Sequence, residues 1–191
     1  MNDRKTSLRE LIANSLLLLE DSFEHLPARS QEVFPDIMRS SDGSCAVCLE
    51  MRFITLLCFL DGSNTVFGLA AWRDAFHTGV ARLGCDSLAK RFYRGESDTC
   101  WQLFQKRLTA FNESSDKIGS PSSNWLTIYV RGSAEKLNAF LDDEEDVPAW
   151  WRLGLYYAKA KGQFIGPFVD FLLQHDVTLD VEDKRMLAEL E

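Results

Sequence analysis

The strongest constraint on the fold lies near the start of the chain. Ser7 is followed three residues later by Glu10, a capping box in which each side chain satisfies a free amide at a helix start. Leu8, Ile12, Leu16, Leu19, Phe23 and Leu26 then recur at three- and four-residue steps, with Leu11 beside them, so one face is apolar from end to end. Pro27 cannot continue such a helix. The pattern predicts a helix over residues 8–26, and a helix with a single apolar face must bury that face against other elements.

The rest of the chain supplies those elements, and most of them read as helices. Residues 30–41 leave room for a short helix around Pro35. Residues 45–60 carry two patterns at once: Leu49, Met51 and Phe53 alternate with Glu50 and Arg52 as in a strand, whereas Ile54, Leu56, Leu57 and Leu60 suit a buried helix. The length of the run and its few β-branched residues favour helix. Asp61-Gly62 predicts a turn and Asn64 a cap for the next helix. That helix carries Val66, Leu69, Ala70, Phe76, Val80 and Leu83 on one side and Gly84 as its stop. Short helices follow over 86–94 and 97–111. The Ser-rich stretch 112–124, with Gly119 and Pro121, is a loop and the one place for a subdomain boundary. Residues 125–130 alternate Trp125, Thr127 and Tyr129 with Leu126, Ile128 and Val130, a strand that needs a partner: either 45–60 supplies one or this segment is helical. Helices are expected over 133–141, from Pro148 to 161, over 166–174, and from Asp180 as cap to 190. The expectation is a mainly α fold, a single compact multi-helix domain over 1–191 of about eight helices, with room for a small β element near 125–130.

A chain of 191 residues that is 46% hydrophobic and 12% aromatic can sustain a core without disulfide staples. The formal net charge of −8 repels phosphate backbones and anionic lipid, which speaks against nucleic-acid and membrane partners. The longest apolar run, 53–60 with Thr55 tolerated, is far short of the roughly 18 residues that a membrane span needs. Arg4 and Lys5 ahead of the apolar run 16–19 resemble a signal peptide. Arg9 and Glu10 interrupt that pattern, Glu20 and Asp21 close it, and no small-residue cleavage site follows. Asn112-Glu113-Ser114 matches a glycosylation acceptor, a chance match without secretion. Cys45, Cys48, Cys58, Cys85 and Cys100 are odd in number and mostly flanked by apolar residues, as expected of reduced, buried thiols in a cytoplasmic protein.

Local motifs do not name a reaction. Cys45-Ala46-Val47-Cys48 has no second pair and no nearby histidines to complete four zinc ligands, so no metal or other cofactor is expected. Asp74 and His77 are three apart, Asp21 and His25 four apart, and Glu20 and Glu24 four apart. A di-metal bundle needs twinned Glu-x-x-His pairs, and helix-surface charge pairing accounts for these spacings more simply. No Gly-x-Ser-x-Gly elbow or phosphate loop is present, and His175-Asp176 is adjacent in sequence without a third partner in view. The balance leans away from an enzyme.

Charge is distributed unevenly. Residues 73–107 hold seven basic residues against four acidic ones, including the cluster Lys90-Arg91-Phe92-Tyr93-Arg94, whereas from residue 133 onward thirteen acidic residues face six basic ones. The densest feature is Asp142, Asp143, Glu144, Glu145 and Asp146, followed after Val147 by Pro148-Ala149 and then Trp150 and Trp151. Five consecutive acids must lie in water, in a loop between helices. The tryptophans either turn into the core or flank the acids as a docking surface for a basic protein, with charge steering the encounter and an indole anchoring it. The leading expectation is therefore a non-enzymatic protein-binding protein: an inhibitor, immunity-type neutraliser or adaptor. The alternative is a small helical enzyme or ligand binder, recognisable by a concave cavity that joins His77 to Asp74, Glu50 or Arg52.

Overall fold

The computed structural model describes residues 4–25, 31, 41–115 and 166–188. Among these the fold is mainly α, with one two-stranded parallel sheet. In chain order the elements are β1 (Arg4–Thr6), α1 (Leu8–Glu24), α2 (Ser41–Phe67), α3 (Arg73–Phe92), α4 (Ser97–Ser115), α5 (Gly166–Leu173), β2 (His175–Val177) and α6 (Val181–Ala188). No helix among the described residues is long and apolar enough to cross a membrane.

Helix α1 begins as the capping box requires: Ser7 Oγ accepts from Glu10 N at 3.2 Å and Glu10 Oε2 from Ser7 N at 3.0 Å. Its buried stripe of Leu8, Leu11, Ile12, Leu19 and Phe23 is the one expected from the spacing. α2 is different, because from Val47 to Leu60 every residue is buried, whatever its direction around the axis. It is the central helix, contacted by α1, α3 and α5. A helix enclosed on all sides has no apolar stripe, so its sequence carries no helical period.

The strand-like alternation at Leu49, Met51 and Phe53 has a specific cause. Glu50 and Arg52 are both buried, and two helical positions apart they point to nearly opposite sides. Glu50 faces α4, where Arg107 holds its carboxylate with both ends of the guanidinium, at 2.7 and 3.4 Å. Arg52 faces the end of α1, donating to Phe23 O at 3.3 Å and to Cys48 O of its own helix at 2.9 Å. Its guanidinium lies over the Phe23 and Phe92 rings, 5.8 and 5.2 Å from their centroids. A cation closing the C-terminal carbonyls of α1 is also favoured by that helix's dipole.

Two expected breaks are absent. The turn at Asp61-Gly62 and the cap at Asn64 are overturned, since α2 runs on to Phe67 and the next helix starts only at Arg73, after Trp72. Gly84 is not a stop either: α3 passes through it to Phe92 and absorbs the short helix expected over 86–94. Gly84 and Gly79 serve as points of close approach. A Cβ on Gly84 would lie 3.4 Å from Leu56 Cδ2 on α2, and one on Gly79 only 2.7 Å from Ile12 Cδ1 on α1. α3 therefore seats against both neighbours through its glycines. It ends in a turn where Gly95 has φ 88, a conformation natural to glycine. Leu69, expected in the core, is fully exposed in the link between α2 and α3. The aromatic core joins α2, α3 and α5: Phe59 packs edge-on to Phe168 at 4.9 Å and against Phe76 at 6.2 Å. Each such buried ring contributes roughly 2 kcal/mol.

The β element lies where the sequence pattern did not place it. Arg4, Lys5 and Thr6 pair in parallel with His175, Asp176 and Val177. The strand expected at 125–130, the loop 116–124 and the helices expected over 133–141 and 148–161 lie outside the described residues, as does the helix expected over 30–41 apart from Gln31 and from Ser41, which begins α2, whereas the loop's first four residues, 112–115, belong to α4. α5 starts at Gly166 as expected, and Asp180 caps α6 by accepting from Asp183 N at 2.7 Å.

Candidate ligand cleft at His77

Among the hollows of the described surface, chemistry gathers in one of about 360 Å³. Between α1 and α5, a hollow of about 560 Å³ contains His175, but its Nδ1–H donates to Phe171 O at 2.8 Å and Asp176 is exposed, so the adjacent His175-Asp176 pair forms no relay. Between α1 and α3, one of about 450 Å³ has Arg52 in its wall with Glu20, Glu24, Lys90 and Arg91 around it. The third, about 360 Å³, lies where α2, α3 and α4 meet. α2 contributes Leu57, Leu60, Asp61 and Asn64; α3 contributes Arg73, Asp74, His77, Thr78 and Ala81; α4 contributes Trp101 and Leu108.

Helical spacing builds this cleft. Asp74, His77, Thr78 and Ala81 follow at three- and four-residue steps, so one face of α3 presents a carboxylate, an imidazole and a hydroxyl above an apolar floor. Arg73 holds Asp74 at 2.7–2.8 Å and donates to Gly68 O at 3.0 Å, bracing the start of α3 against the end of α2. Trp101 is fixed from the other side by Arg82, whose guanidinium lies 5.3 Å from the indole centroid and pairs with Asp98 at 2.6 Å.

The imidazole is oriented by a serine that sequence reasoning missed. Ser63 is fully buried in α2. Its hydroxyl donates to Leu60 O at 2.7 Å, and His77 Nε2 lies 2.6 Å from the same oxygen. With the one hydroxyl proton committed to a carbonyl, Nε2–H is the donor to Ser63, which fixes the tautomer. Burial holds the His77 pKa down to about 4, with Arg73 repelling the cation further and Asp74 opposing it. The ring is therefore neutral at pH 7.

Of the cluster expected around His77, the structure joins Asp74 to it and separates the other two. Glu50 pairs with Arg107, and Arg52 closes α1. The residues expected to bind a partner, Asp142, Asp143, Glu144, Glu145, Asp146, Trp150 and Trp151, lie outside the described residues. Cys48 is buried within α2. No group of three or more His, Cys, Asp or Glu able to hold a metal occurs among the described residues. Of the basic cluster, Lys90, Arg91 and Arg94 are exposed, while Phe92 and Tyr93 are half-buried. Comparison of the chain with protein-family models, with curated proteins and with solved structures finds no match.

Proposed function

We propose that this protein works by binding rather than by catalysis, and that the cleft at His77 is a ligand site. One observation carries the reading: Ser63 Oγ lies 2.7 Å from Leu60 O as well as 2.6 Å from His77 Nε2, and the carbonyl, which can only accept, claims the hydroxyl proton that a nucleophile would give to its base. A serine awaiting activation donates to a histidine nitrogen, whereas Ser63 gives its proton to Leu60 O and accepts from His77. An imidazole with a pKa of about 4 is also a weak base at neutral pH. What remains is a recognition surface with an apolar floor, an indole wall and a polar rim. It suits a small molecule with an apolar or aromatic body and a hydrogen-bonding head. Thr78 is exposed on the rim, so Thr78→Trp would fill the cleft without disturbing the core. A thermal-shift screen of small metabolites on the wild type and T78W tests the reading. Compounds that stabilise the wild type and not the variant are expected; stabilisation of both equally, or of neither, would sink it.

A second reading rests on the acidic run at Asp142, Asp143, Glu144, Glu145 and Asp146 and on the adjoining Trp150 and Trp151. Here the chain docks a protein with a basic surface, as an inhibitor, immunity-type neutraliser or adaptor does. Neutralising the acids would slow association and flatten its salt dependence, and replacing Trp150 and Trp151 by alanine would speed dissociation. Affinity purification from the native host, repeated with both sets of substitutions, tests this reading, and a partner retained by both variants would place the interface elsewhere. A cytoplasmic location fits either reading, because Cys48, Cys58, Cys85 and Cys100 are all buried, as thiols of a reducing compartment commonly are.

A further inference from the structure

The hydrogen bonds at Ser63 decide which face His77 shows to the cleft. The serine hydroxyl spends its proton on Leu60 O at 2.7 Å, so His77 Nε2–H donates to Ser63 at 2.6 Å. A neutral imidazole carries a single N–H, which leaves Nδ1 with a bare lone pair. Among the described residues Nδ1 has no hydrogen-bond partner, and the half-buried ring lines the cleft. Ser63 is fully buried, so its bond to Nε2 anchors the ring from the protein side and holds the acceptor in place.

The polar groups around Nδ1 are mostly acceptors too. Arg73 spends Nε and Nη2 on Asp74 Oδ1, at 2.8 and 2.7 Å, and Nη1 on Gly68 O at 3.0 Å. Asp74 Oδ2 has no partner among the described residues. Asp61, one helical turn after Leu57, brings a second carboxylate from the α2 wall. The Trp101 wall is preformed: Arg82 lies 5.3 Å from the indole centroid, and the ring stacks on Phe104 with centroids 6.1 Å apart and planes at 26°.

This arrangement selects by charge. An anionic head brought to Nδ1 meets a lone pair and the two carboxylates, with the Arg73 guanidinium already engaged. A cationic head meets what keeps the ring itself unprotonated: burial first, then repulsion by Arg73 that exceeds the attraction of Asp74. An uncharged donor escapes both penalties. Resting on the reading of the cleft as a ligand site, we propose that its occupant is an uncharged aromatic compound with an N–H or O–H donor, whose proton His77 Nδ1 accepts while the ring packs on Trp101 and the apolar floor. A ligand lacking that donor leaves Nδ1 dry and unanswered, which is the source of its rejection.

The test uses the full chain and four probes that share one ring system: indole, N-methylindole, tryptamine and indole-3-acetate. Calorimetric titration should show indole binding about tenfold more tightly than each of the other three, and T78W should abolish it. Nitrogen NMR of histidine-labelled protein should show His77 Nδ1 unprotonated, its resonance moving with indole and staying put with N-methylindole. His77→Phe keeps a ring and loses the acceptor, so it should bind indole and N-methylindole equally; the wild-type series and spectra stand by themselves if H77F folds poorly. N-methylindole, tryptamine or indole-3-acetate binding as well as indole, in a manner that T78W blocks, would overturn this inference and leave the ligand site standing. A protonated Nδ1, or an H77F that keeps the preference for indole, would do the same. No probe binding in a manner that T78W blocks would overturn the inference, and only an empty metabolite screen as well would remove the ligand site with it.

Discussion

Asp183 Oδ2 accepts a hydrogen bond from Leu8 N at 3.1 Å, tying the first turn of α6 to the first turn of α1. The same oxygen accepts from Asp180 N at 3.1 Å, so one fully buried carboxylate answers free amides at the start of two helices. Both helix dipoles point their positive ends at it. Arg9 closes the arrangement from outside, with Asp180 at 3.4 Å, Glu182 in direct contact and Asp183 Oδ1 at 3.7 Å.

Replacing Asp183 should therefore cost more than a surface carboxylate would. Asp183→Ala leaves the buried Leu8 N–H and the part-buried Asp180 N–H without an acceptor, and a loss of about 3 kcal/mol is expected in urea unfolding. Asp183→Asn keeps an acceptor oxygen and loses the charge, so a smaller loss, about half, is expected. Arg9→Ala, at an exposed ion pair, should change stability by less than about 1 kcal/mol.

Gly79 makes a sharper test of how α1 meets α3. Alanine there would gain helix propensity of about 1 kcal/mol, but its Cβ would fall 2.7 Å from Ile12 Cδ1. Gly79→Ala should destabilise by about 1–2 kcal/mol because the clash outweighs the propensity. Combining it with Ile12→Val, which removes the offending methyl, should recover most of that loss. A double-mutant cycle showing no coupling would place the closest approach elsewhere.

His77 should make stability depend on pH in a defined window. Its unfolded ring takes up a proton near 6.5 and its folded ring near 4, so between those values the unfolded state binds more protons and stability rises with pH. The contribution is complete above about pH 6.5 and is lost as pH falls toward 4. The ring is partly exposed, so solvent screening limits the effect to on the order of 1–2 kcal/mol. Unfolding curves from pH 4 to 7 should be flatter for His77→Gln than for the wild type.

The Glu50–Arg107 pair is a buried bidentate bridge between α2 and α4. Arg107→Met removes the cation that holds Glu50, and a loss of about 3 kcal/mol at pH 7 is expected. Adding Glu50→Gln removes the charge as well and should restore part of it. Equal losses in the single and double variants, read by chemical denaturation, would mean that packing rather than charge dominates at this site.

How much of the fold could be read from sequence differs by element. α1, the start of α5 and the cap of α6 were legible because Ser7, Glu10, Gly166 and Asp180 act locally. α2 was only half legible, since Glu50 and Arg52 are buried and answered by Arg107 and Phe23, residues far away in the chain. Gly84 looked like a stop because a sequence does not show that Leu56 lies against it. The parallel pairing of Arg4–Thr6 with His175–Val177 was illegible: three-residue strands have no period to detect. At the candidate cleft, Asp74 and His77 stood out by their spacing. Ser63, fourteen residues before His77, carried no signal, because its role depends on two helices meeting.

The joining of β1 to β2 has a consequence for how the protein is made. Leu8 and the carboxylate that receives its amide are 175 positions apart in the chain. During synthesis the first turn of α1 leaves the ribosome long before Asp183 has been translated, and β1 has no strand to pair with until His175–Val177 follow. Helix α1 thus emerges well before the residues that complete its first turn, and closing so long a loop is slow. Nascent chains stalled before residue 175 should leave the 4–12 region open to proteases, and chains extended until α6 has emerged should close it.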